Sequence, residues 1–395
     1  MKKMQYMMLG FMLCVFAFAK AQTDQLARNY FEQGDYEKAI FSYRKALKKE
    51  PKNQGLLLGL VKSYQELEQY DKAEEVLIKN LDNGRSRGVV AVELGYNYQL
   101  QSLDSLAQNA YADAITLIAE NRTSPYQVGR AFESHSLLEQ AVQTYQVAME
   151  MNPRINFDIQ LAKIYGELGQ IEKMFSSYLD LVNRKATYIG VAQRNFGQYV
   201  TDDPFNEANG IFRKLLLKRL QTEQNVLYNE LLSWLFIQQK DYRKAFTQEK
   251  AIFKRTDGNI DGLIDLANVT IEDQAFTVAK DILNHIKEVS FDDSIKLEAE
   301  QELLNIDVQQ AVTAAERDAI KTRFESILTD LGTGEITVPL QIDYAHFLAF
   351  DMSLVSDGIT YLKDRIKEPR GRFNEARLKM ELADILVLDL SLIHI

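Results

Sequence analysis

Read as a pattern of apolar and polar positions, the chain repeats itself every 34 residues. Leu26-Ala27 followed by Tyr30 returns as Leu60-Val61 with Tyr64, as Leu94-Gly95 with Tyr98 and as Val128-Gly129 with Phe132. A second set keeps the same step: Ala39, Ala73, Ala107 and Ala141, then Tyr43, Leu77, Tyr111 and Tyr145, then Ala46, Asn80, Ala114 and Ala148. Pro51 and Pro153 close the first and fourth units. Inside each set the positions lie three, four and seven apart, which is one face of a helix. Each set therefore predicts a helical face, and Gly34-Asp35 falls between the two sets of the first unit. One residue shorter, the pattern resumes at Leu161-Ala162, Tyr165, Gly169 and Tyr178. It fades over 189–225, then recovers as Leu232-Ser233, Phe236, Tyr242 and Ala245, and again as Leu266-Ala267, Phe276 and Ala279.

Alanine holds the second-helix crossing position in six of these seven units, and Met174 holds it in the seventh. Small residues at a crossing let helix axes approach, and the aromatic or leucine four residues later fills the space on the same face. This arrangement resembles the tetratricopeptide repeat, with its L-G-x-x-Y and A-x-x-x-F pattern over a helix-turn-helix unit. The resemblance implies an all-α fold, a right-handed α-solenoid of stacked helix-turn-helix repeats. The tryptophan typical of the family is missing from the clear repeats, and Trp234 lies beside the small position of its unit instead.

The expected organisation is five repeats over 22–188, a degenerate helical hairpin over 189–225, two repeats over 226–293 and divergent helical repeats over 294–389. Asp202-Asp203-Pro204 reads as a helix start with an acidic cap and early proline. Beyond 293 the helices are expected at roughly 294–315, 317–331, 338–350 and 357–367, as worn repeats or as a separate helical domain. A last helix begins near Phe373, and Leu382-Ala383 looks like the opening of another repeat. Residues 390–395 resemble the translation of a transposon end, so the native protein is expected to diverge near Asp389 and continue.

The N-terminus adds a compartment. Lys2 and Lys3 precede the apolar run Met7 to Phe18, and Ala19-Lys20-Ala21 has the small-x-small spacing of a signal-peptidase site. The run is only about a dozen residues, short of the roughly 20 a membrane-spanning helix needs. Residues 1–21 are thus expected to be a cleaved signal peptide, with the mature chain periplasmic or envelope-associated and secretion possible. Its removal would leave 43 basic against 56 acidic residues, a net charge of −13 in place of −10, and would take away the only cysteine, Cys14. Such a fold is held by packing rather than by disulfides. The acidic balance also argues against a nucleic-acid partner.

Catalytic patterns are sparse. His135, His285 and His346 have no metal-binding spacing and read as surface or packing residues, no phosphate loop or nucleophile elbow is present, and Gly332-Thr333-Gly334-Glu335 reads as a loop. No cofactor or metal is expected. If the family geometry holds, the first helix of each repeat lines a groove. Two stripes then face it: Asp24, Leu58, Val92 and Tyr126 as floor, and Arg28, Lys62, Tyr96 and Arg130 as a basic rim. That surface suits an acidic and apolar segment of a partner protein or peptide. Asp24 has the wrong sign for the family's carboxylate clamp. The expected function is a non-catalytic exported scaffold, and the alternative is an enzyme or envelope-enzyme subunit with its site in the divergent region after 293.

Overall fold

The computed structural model describes residues 25–81, 86–368 and 371–394, with side chains up to Ser391. The expected signal peptide and Asp24 lie outside the described residues. Among the described residues the regular elements are helices, in an all-α helical repeat solenoid. The chain divides into two compact units between Tyr188 and Ile189.

The first unit stacks five helix pairs: α1 (25–32) with α2 (Tyr36–Lys49), α3 (Gln54–Glu66) with α4 (Tyr70–Asn80), α5 (Arg87–Leu100) with α6 (Asp104–Ala119), α7 (Pro125–Ser134) with α8 (Leu138–Met151), and α9 (Asp158–Glu167) with α10 (Ile171–Arg184). Each pair is closed by the same turn. One residue takes a left-handed backbone at Gly34, Glu68, Ser102, Ser136 and Gly169. The amide that follows it reaches back to the last turn of the preceding helix: Asp35 to Tyr30, Gln69 to Tyr64, Leu103 to Tyr98, Leu137 to Phe132 and Gln170 to Tyr165. This six-to-one bond satisfies a carbonyl that the ending helix would leave open. A side chain pays a steric cost in that conformation which glycine avoids. Ser102→Gly is therefore expected to raise the stability of the first unit by up to about 1 kcal/mol in urea unfolding followed by circular dichroism.

The crossings behave as the pattern predicts. Ala39, Ala73 and Ala141 have no exposed surface and Ala107 is 2% exposed. On α5 and α7 the facing position is a glycine. A Cβ on Gly95 would stand 2.3 Å from the Tyr111 ring, and one on Gly129 would stand 2.3 Å from the Tyr145 ring. Both tyrosines are buried, with hydroxyls that donate to Gln99 (2.7 Å) and to Glu133 (2.7 Å) on the opposing helix.

The second unit runs α11 (Ile189–Phe196), α12 (Glu207–Thr222), α13 (Val226–Gln238), α14 (Tyr242–Arg255), α15 (Asp261–Glu272), α16 (Phe276–Val289), α17 (Asp293–Gln310), α18 (Ala314–Leu331), α19 (Val338–His346), α20 (Val355–Ile366) and α21 (Arg372–His394). The left-handed turn recurs at Lys240 and Gln274, with Asp241 donating to Phe236 and Ala275 to Thr270. Three boundaries differ from the sequence reading. Asp202-Asp203-Pro204 lies in the loop before α12, whose cap is Asn206, accepting from the Asn209 amide. The buried Asn209 in turn bonds the backbone of Thr201 and Asp203, so loop and helix are tied by an amide rather than by an acidic cap. The break expected near 315 comes earlier, because Thr313 and Glu316 form a reciprocal capping box at the start of α18. Finally, α19 passes into one π-helical turn over Phe347–Asp351. The last helix, α21, buries Leu378 and Ile385 in a core with Val338, Ala345, Ala349, Val355 and Leu362.

Candidate functional site

Once the small residue of each first helix faces its own second helix, the next residue is turned by about 100° away from that contact. Arg28, Lys62 and Arg130 occupy this position on α1, α3 and α7, and all three are exposed. Among the described residues Arg28 and Lys62 make no ion pair, whereas Arg130 bonds Glu133 at 2.7 Å. Tyr96 holds the same position on α5 but is half-buried. The other stripe is less uniform. Tyr126 is 51% exposed and Leu58 is half-buried, but Val92 has no exposed surface. Val92 is therefore removed from the expected groove floor. Its helix is packed on α4, α6 and α7 together, and a valine is too short to reach past those neighbours.

A buried polar cluster on the same helix was not foreseen. Glu93, set in the apolar run Val89 to Leu94, places its Oε2 3.1 Å from Nε2 of His135 at the end of α7, with side chains only 3% and 6% exposed. The Tyr96 ring stacks on the His135 ring at a centroid distance of 3.7 Å. Burial pushes the Tyr111 phenol up, with Tyr96 and Glu93 adding to it. The cluster thus fixes Tyr96 against α7, and of the two expected roles, surface or packing, His135 takes the second. The signal that could have found it is a lone acid inside an apolar helix run.

The first helices of the second unit carry a different chemistry. After Tyr188 the sequence has 34 acidic against 24 basic residues. Burial pushes the carboxyls of Glu230 on α13 and Asp343 on α19 up, and does the same to Glu249 on α14, where Glu230 and Asp265 add repulsion. In each case desolvation of the charged form is the main cause. A raised value in the fold favours the neutral carboxyl, so the associated stability is present below the ordinary carboxylate range and is lost as pH rises through the raised value. Glu249→Gln is accordingly expected to be more stable than the wild type at neutral pH, with the difference vanishing in acid. Thermal melts read by fluorescence of Trp234, the only tryptophan and itself on α13, check this.

The remaining histidines lie in the same unit. His285 packs edge-on to Phe246 and Phe253, and burial lowers its value. His346 bonds Glu381 of α21 at 2.9 Å, which raises it, and the Gln301 amide donates to Asp343. Among the described residues no group of three or more histidine, cysteine, aspartate or glutamate side chains is placed to hold a metal ion. Nor is any described helix long and apolar enough to cross a membrane.

Comparison with known proteins gives one family match and several distant structural likenesses. The family model described as Tetratricopeptide repeat matches residues 30–84. No curated protein matches the sequence. Among solved structures, the MamA protein is 20% identical over 52% of this chain and 96% of its own, with a TM-score of 0.23. Yeast Tom70 is 13% identical over 94% of this chain and 89% of its own, with a TM-score of 0.28. The C-terminal part of a TPR repeat-containing protein from Cytophaga hutchinsonii is 18% identical over 62% and 98%, with a TM-score of 0.27. The chain carries a tetratricopeptide-repeat match over residues 30–84, within an all-α helical repeat solenoid.

Proposed function

We propose that the chain is a non-catalytic exported scaffold that binds a partner protein or peptide along the first helices of its N-terminal repeats. The observation that carries this reading is the row of exposed basic side chains, Arg28, Lys62 and Arg130, recurring at a fixed stride beside the exposed Tyr126 and half-buried Leu58. Fixed cations on an acidic protein attract an acidic segment, and the neighbouring apolar surface supplies contact area. The corrected set for this face is Arg28, Leu58, Lys62, Tyr96, Tyr126 and Arg130; Asp24 belongs with it on spacing alone.

Lys62→Ala is expected to leave the unfolding free energy within about 0.5 kcal/mol of wild type, as for an exposed residue making no ion pair, and to weaken capture of the partner. The test is affinity capture from an envelope fraction with both proteins, followed by titration of the captured partner. Equal affinity for wild type and for a Lys62→Glu, Arg28→Glu variant would remove this face from consideration. N-terminal sequencing of the protein recovered from the envelope should begin at Gln22; retention of Met1 would sink the export part.

A second reading, an enzyme with its site after residue 293, draws on the Asp343, His346 and Glu381 cluster. Those bonds join α17 to α19 and α19 to α21, which is a packing role, and the scaffold reading is preferred.

A further inference from the structure

The helices α15, α16 and α17 enclose a cavity of about 260 Å³. Ile264, Leu283, Ile286 and Ile295 line it, with Ala267 and Ala299 as its small buried members. Its ionisable lining consists of two acids from α17, Glu302, half-buried, and Glu298, exposed. The volume is below the roughly 300–1,000 Å³ usual for a small-molecule site and is closer to the scale of one side chain.

The charges around this cavity do not balance. Every lysine on the three helices is already engaged: Lys280 with Asp307 at 2.7 Å, Lys287 with Glu300, and Lys296 with Asp293 at 2.9 Å. Helix α15 has no lysine or arginine, and His285 on α16 faces Glu288 at 3.8 Å. From α18, Arg323 is taken by Glu300 and Asp307. Among the described residues neither Glu298 nor Glu302 has an ion pair. Burial pushes the Glu302 carboxyl up, Asp343 adds to this, and a hydrogen bond with Asn305 opposes it. A half-buried carboxylate without a cation costs stability that an arriving cation returns.

We propose that this cavity receives a basic side chain, lysine or arginine, from a partner polypeptide. The methylene stem lies against the isoleucines and the charge sits beside Glu302 and Glu298. Long basic side chains combine these two chemistries, an apolar stem and a cationic head. The site extends the binding reading above to a second place on the chain, shares no residue with the basic face of the first unit, and selects the opposite charge.

The test is a titration of the full chain with the tripeptide acetyl-Leu-Arg-Leu-amide, followed by isoleucine methyl resonances, against the same peptide with citrulline in place of arginine. The methyls of Ile264, Ile286 and Ile295 should move with the arginine peptide and not with the isosteric neutral one. Glu298→Gln combined with Glu302→Gln should weaken binding by at least about tenfold, while Trp234 fluorescence shows the second unit still folded. Lys62→Glu should leave this titration unchanged while abolishing binding at the first face, so the two sites fail separately. Methyls that stay in place, that respond equally to citrulline, or that respond undiminished in the double variant overturn the proposal.

Discussion

Leucine in place of Ala107 is expected to lower the stability of the first unit by roughly 1–3 kcal/mol, the range for overfilling a packed core. The Ala107 carbonyl oxygen would lie 3.1 Å from a Cβ on Gly95, which measures how closely α5 and α6 cross. Three added carbons cannot be absorbed by Tyr111, which is 1% exposed and held by its hydroxyl bond to Gln99. The backbones must separate instead, and neighbouring pairs lose contact with them. Urea unfolding followed by circular dichroism should show the loss as an earlier midpoint. An unaltered dichroism midpoint would place Ala107 outside a crossing.

Removing one member of the facing Glu93–His135 pair should cost about 1–3 kcal/mol, because the other is left buried against an apolar side chain. His135→Leu leaves Glu93, which is 2% exposed, without its facing polar group and also deprives the Tyr96 ring of its stacking partner. Replacing both members, as Glu93→Met with His135→Leu, should recover much of the loss, since no uncompensated polar atom then remains. Urea unfolding of the two single variants and the double variant forms a cycle with a defined reading. A double variant no better than His135→Leu alone would mean that the pair contributes through packing rather than through charge.

How far the sequence could be read depends on which neighbour decides each position. The crossing alanines and the fading over 189–225 were legible because a helix pair is a local object, set by residues a few places apart. The left-handed turn was legible at Gly34 and Gly169, but Glu68, Ser102 and Ser136 carry the same backbone without a glycine to announce it. Val92 failed for a longer-range reason. Its spacing is that of Leu58 and Tyr126, and its burial is set by α4, α6 and α7 packing on α5. For the acids of the second unit, spacing alone does not reveal desolvation. Asp343 and Glu302 become distinctive only when α17 and α19 are brought together. Thr313 and Glu316 were readable in principle, as a capping pair that the coarse boundary near 315 passed over.

Within each unit the helices touch chiefly the one or two that come next along the chain. Few contacts wait for a distant segment, so loop-closure entropy places little drag on assembly and folding should be fast for a protein of this length. A chain of this kind can also begin to fold from its N-terminal end while the rest is still being made. Each new hairpin finds a template already standing.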